Sequence, residues 1–171
     1  MTPLDSQPDV KPPYASAPKA SDTQAGAGEL QTLKADKLIR DYALMAAAAG
    51  FIPSPLIDVV AVMALEVRMI GDMAKVYAFP MPRKLVSYKI LISLVGSVGP
   101  VYFAGHVPGL AFAGVMSISN GIAVYAVGKV FQKHFESGGI FLSQDSSVVR
   151  KYFKQSYREG KQIVPALAGR A

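Results

Sequence analysis

The chain has 171 residues, 51% of them hydrophobic and 18% charged, with a net charge of +6 and no cysteine. That length allows one domain, and the composition is apolar enough to suit a chain partly solvated by lipid. Without cysteine there are no disulfides, no thiolate metal sites and no thiol catalysis.

Residues 1–28 hold Pro3, Pro8, Pro12, Pro13 and Pro18 among Ala, Ser, Asp, Thr and Gly, with no apolar periodicity. They bury too little to offset the entropy of ordering and are expected to form a disordered tail. They also lack the apolar core of a secretory signal, so the N-terminus is expected to stay in the cytoplasm. Residues 1–30 contribute −2 (two Lys against four acids), which leaves +8 for the rest of the chain. That excess suits anionic lipid head groups, and nucleic acid is not expected as a partner.

From Glu29 the pattern becomes helical, with Asp36/Arg40 and Lys37/Asp41 spaced i,i+4 ahead of an alanine-rich turn that ends at Gly50. Pro53 and Pro55 stop this helix, and Pro55 suits the first turn of the next, over about 55–78. On that second helix Arg68, Asp72 and Lys75 share a solvated sector, opposite Val59, Val62, Met63, Met69, Ile70 and Met73. The uncharged arms, 42–52 and 59–65, are too short to cross a bilayer, which leaves an interfacial hairpin or a soluble one. Glu66 projects among the apolar residues. Lys89 and Asn120 are its candidate partners, against the plainer reading of a Glu that snorkels to the interface or makes one core hydrogen bond.

Residues 90–128, 39 in a row, contain no Asp, Glu, Lys or Arg. Roughly 20 apolar residues make one span, so helices over about 82–103 and 110–135 are expected to cross or deeply enter a membrane at 85–104 and 109–128. Lys/Arg at both open ends puts both termini in the cytoplasm. Gly114, Ser117, Gly121 and Gly128 form a stripe of small side chains on the later helix, and Ser93, Gly96 and Ser97 one on the earlier. The two stripes are expected to face each other or a neighbouring subunit.

After Gly138-Gly139, Ser143 to Ser146 offer N-caps for a last helix over about 146–163. Arg150, Lys151, Lys154, Arg158 and Lys161 make it basic and Val149, Tyr152, Phe153 and Tyr157 give it an apolar face. It suits an anionic membrane surface or a cap on its own domain. His106 and His134 have no acid or second His at a ligand spacing, so no metal site is expected. No phosphate-binding loop and no nucleophile elbow occurs; catalytic residues and cofactors are therefore not expected.

Three stretches, 42–58, 69–77 and 125–139, together with Lys151-Tyr152-Phe153 and Gly160-Lys161, resemble a bacterial domain of unknown function in YcjF-like inner-membrane proteins. Such domains are attached to, or encoded near, small Era-like GTPases. The resemblance covers about 36–162 and implies an α-helical, membrane-associated module without established catalytic activity. This chain has no GTPase domain, so a GTPase enters only as a separate partner.

The sequence therefore reads as an all-α protein of about five helices: a tail at 1–28, membrane-associated helical hairpins at 29–142, and a basic amphipathic helix and tail at 143–171. The expected function is a non-enzymatic, homo-oligomeric scaffold or adaptor at the bacterial inner membrane. The competing expectation is a pore or transport component that uses Glu66, Lys89 and Asn120 between helices.

Overall fold

A computed structural model describes residues 20–50, 55–80 and 110–169, with side chains from Gly26 onward except at 51–59, 110–113 and 116. Four helices account for most of them: α1 (Ala20–Ala49), α2 (Pro55–Val76), α3 (Leu110–Glu136) and α4 (Ser146–Ala168). A short 3-10 turn over Phe141–Ser143 precedes α4. No strand occurs among the described residues. The expected helix over 82–103, with its span at 85–104, lies outside them.

α1 begins at Ala20, inside the stretch expected to be a tail. Residues 26–30 are exposed there, so this turn adds no core. It extends a helix already nucleated by packing further along, which costs little per residue. The packed face of α1 is Ala35, Ile39, Tyr42, Ala43, Ala46 and Ala47, all buried at helical spacing. α2 opens on Pro55 and ends with Ala78 at φ 49, where the Phe79 N–H donates to the Ala74 carbonyl at 2.8 Å. That is a Schellman-type stop. α3 stops at Gly138 (φ 67) and Gly139 (φ 88), and a Cβ on Gly139 would lie 2.6 Å from the Phe79 ring.

Contacts along the helices fix their directions. α1 runs antiparallel to α3: Ser117 meets Ala47, Gly121 meets Ala43, Gly128 meets Ile39, and Glu136 meets Thr32. α2 runs alongside α3, with Met69 at Gly128 and Tyr77 at Glu136. α4 returns antiparallel to α3, placing Val164 at Gly121 and Gly160 against Ile122 and Tyr125. The core therefore lies around the second half of α3, where Ile122, Val124, Tyr125, Ala126, Val127, Val130 and Phe131 are all buried.

Among the described residues no helix is long and apolar enough to cross a membrane. The expected span at 109–128 is thus not borne out by the part of it that is described; Gly109 and the side chains of 110–113 and 116 lie outside that part. A helix that is apolar all round is a buried helix, and over 121–131 the surround is α1, α2 and α4 instead of lipid.

Candidate functional site

Val62, Glu66, Met69 and Met73 are buried together on α2, spaced four, three and four residues apart, so Glu66 occupies a core position. It has no exposed surface, and among the described residues neither carboxyl oxygen has a hydrogen-bond partner. Burial pushes its pKa up to about 8, because a carboxylate loses its hydration there. The expected hydrogen bond with Asn120 is not made; Lys89 lies outside the described residues. A lone neutral carboxyl supplies no acid–base pair. Among the described residues no group of three or more His, Asp or Glu is placed to hold a metal.

Other polar side chains tie helices together. Tyr42 donates to Asp72 at 2.7 Å, and Lys75 holds the same carboxylate at 2.8 Å. Those two hydrogen bonds, Lys75 first, keep the Asp72 pKa low. Lys129 reaches Asp36 on α1 at 2.9 Å, so Asp36 pairs across the bundle, whereas Lys37 and Asp41 form their i,i+4 pair at 2.7 Å. Tyr125 donates to Glu159 on α4 at 2.8 Å. Burial, and then this bond, raise the tyrosine pKa. Burial lowers the pKa of His134, whose Nδ1 accepts from the Leu142 N–H at 3.3 Å. The Asp36–Lys129 and Tyr125–Glu159 links carry no signal in sequence, because their partners are 93 and 34 residues apart.

The stripe on α3 packs inside the chain. At Gly121 an added Cβ would lie 2.8 Å from the Ala43 carbonyl oxygen and from Val164 Cγ1; at Gly128 it would lie 2.8 Å from Ile39 Cγ1. Ser117 donates to the Ala47 carbonyl at 2.6 Å. The surface opposite Ser117 and Gly121 thus includes Ala43 and Ala47 of α1, and that opposite Gly128 includes Ile39 of α1 and Met69 of α2; Ser93, Gly96 and Ser97 lie outside the described residues. Alanines on one helix and glycines on the other permit the closest backbone approach, which explains the pairing. Gly114 has nothing within 4 Å of such a Cβ.

α4 is capped by Asp145, whose side chain accepts from the Ser147 N–H at 2.6 Å. Its buried stripe is Val149, Phe153, Ser156, Gly160 and Val164. Arg150, Lys151, Lys154, Arg158 and Lys161 are all exposed. At about 100° per residue they fall within one sector about 100° wide. The only acid of this helix, Glu159, lies outside that sector and is held by Tyr125. Lys161 sits over the Tyr157 ring, 5.5 Å from its centroid.

The bundle is electrically divided along its length. One end, built from 42–50, 55–65, 114–128 and 162–169, contains a single charged residue in those stretches, Asp58, and it exposes Met45 (44%), Val60 (60%), Val115 (54%) and Ile118 (43%). The other end holds Asp36, Lys37, Asp41, Asp72, Lys75, Lys129 and Glu136, most of them paired.

Comparison with known proteins places this bundle. No solved structure matches the chain. It is 35% identical over 150 residues to Magnetosome membrane protein 22 of Magnetospirillum gryphiswaldense, across 81% of this chain and 76% of that protein. The family model described as Domain of unknown function (DUF697) matches residues 23–162, which takes in nearly all of the four helices. The chain belongs to the DUF697 family.

Proposed function

We infer that this protein is a non-enzymatic, membrane-associated scaffold of the bacterial inner membrane, assembled from copies of itself through the apolar end of its bundle. The observation that carries this reading is that end: Met45, Val60, Val115 and Ile118 stand exposed there, with Asp58 of α2 the one charged residue of its described stretches, and exposed apolar surface marks an association site. The relative's name, a magnetosome membrane protein, supports a membrane setting.

The membrane anchor of this reading is drawn from the uncharged run that follows Lys89, with both termini in the cytoplasm because Lys and Arg flank the run. The charged end is left for a cytoplasmic partner, for which the family resemblance suggests a separate GTPase. The transport reading needs Glu66 on a path between protomers, whereas Glu66 is buried within a single chain.

The chain has no native cysteine, which makes single-cysteine crosslinking clean. In carbonate-washed membranes, Val60→Cys and Ile118→Cys should give disulfide-linked dimers on oxidation and Gln155→Cys should not. Recovery of the protein in the carbonate supernatant would contradict membrane anchoring. Equal crosslinking at all three positions would contradict assembly through the apolar end.

A further inference from the structure

We propose that the exposed face of α4 made by Arg150, Lys151, Lys154, Arg158 and Lys161 is a docking surface for the phosphate groups of an anionic lipid leaflet, and that it docks through charge alone. The proposal rests on the membrane-associated reading and deepens it by naming the lipid chemistry. Three observations carry it. The five cations are exposed and share one sector of the helix along roughly 16 Å of its axis. No acid interrupts that sector, because Glu159 is turned to Tyr125, and none of the five forms a salt bridge among the described residues. The apolar side of α4 is already used: Val149, Phe153 and Val164 are buried in the core, and a Cβ at Gly160 would press on Tyr125 and Ile122.

An amphipathic helix that inserts in a membrane offers its apolar face to acyl chains and its cations to head groups. Outside its cations α4 leaves one large apolar side chain exposed among the described residues, Val148 at its first turn, which is too little surface to insert among acyl chains. Its contact should therefore follow surface charge and ionic strength, and be indifferent to lipid packing. With α4 flat on the leaflet, the bundle axis lies in the membrane plane. The apolar end then points sideways toward the next copy, consistent with a scaffold.

The test uses the full chain carrying Gln155→Cys, an exposed position beside the stripe, labelled with a fluorophore. The vesicles contain a head-group quencher in phosphatidylcholine, alone or with about one-third phosphatidylglycerol. Quenching should be strong on the anionic vesicles and weak on the neutral ones, and about 0.5 M NaCl should abolish it by screening. Changing Arg150, Lys151, Lys154 and Arg158 to Gln should weaken the contact on the order of 100-fold, while the same change at Lys34, Lys37, Lys75 and Lys133 should leave it intact. Equal quenching on both vesicles, or equal loss from both sets of substitutions, overturns the proposal. So does absence of quenching on both while the chain stays bound, which would assign the stripe to solvent or to an acidic protein. Retention after carbonate reports the anchor separately: salt-sensitive quenching by a chain that carbonate strips would sink the anchor and keep the docking face.

Discussion

α3 and α4 pack against each other, yet they meet their surroundings in opposite ways. α3 is uncharged for its first nineteen residues and, from Gly121 onward, is sheathed by three other helices. α4 buries one stripe and turns five cations outward. The difference teaches that a long uncharged run reports removal from water, without saying whether lipid or protein does the removing. Among the described side chains of α3, the large apolar ones left open are Val115 and Ile118, near its start.

The largest expected effect comes from Glu66, which α2 carries in its core-facing stripe. Its folded pKa is about 8, against 4.5 for an unburied group. The folded state therefore holds a proton that the unfolded state releases once pH exceeds 4.5. Stability falls as pH rises from about 4.5 to about 8, by up to roughly 5 kcal/mol. Glu66→Gln should remove this slope, and Glu66→Leu should raise stability most near pH 8.5. Denaturant unfolding at several pH values checks both; wild-type and Glu66→Gln profiles that stay parallel would contradict the burial of this carboxyl. His134 acts in the opposite direction. Its lowered folded pKa means that its contribution is present above about pH 6.5 and is lost as pH falls below that value.

Gly121 and Gly114 divide α3 itself. Gly121→Ala drives a methyl into the Ala43 carbonyl, which belongs to backbone and yields poorly. It should destabilise by about 1–3 kcal/mol. Gly114→Ala meets open space and should be neutral or stabilise by up to about 1 kcal/mol, through helix propensity. Thermal melts that shifted both variants in the same direction would remove the distinction between sheathed and open parts of α3.

Much of this was legible in sequence. The bounds of α2 and α3, the cap region of α4 and the solvated sector on α2 follow from proline placement, Asp145 and apolar spacing. The small-residue stripe was legible as a packing surface, but its partner was not. Which helix meets Gly121 depends on the alanine face of α1 some 80 residues earlier, and no local rule connects them. Glu66 stood out as a charge on an apolar face; that its carboxyl has no hydrogen-bond partner among the described residues became visible only in three dimensions.

Two smaller effects concern helix ends. Asp145→Ala removes the acceptor for the Ser147 N–H and should cost about 1 kcal/mol, a loss confined to α4 in hydrogen exchange. Ala78→Gly relieves a left-handed residue at φ 49 and should stabilise by up to about 1 kcal/mol. A fall in midpoint temperature would show that the methyl of Ala78 contributes more than its backbone costs.

The central claim, that α3 is covered by its own chain from Gly121 onward, is tested most directly by a cysteine scan of positions 115, 118, 124 and 127 in the membrane-bound protein. Each variant is exposed to a water-soluble maleimide and to a lipid-phase photoprobe. Positions 124 and 127 should resist both reagents, with 115 and 118 reactive or crosslinked to another copy. Labelling of 124 and 127 from the lipid phase would show that α3 faces the bilayer along its length, and would contradict the account.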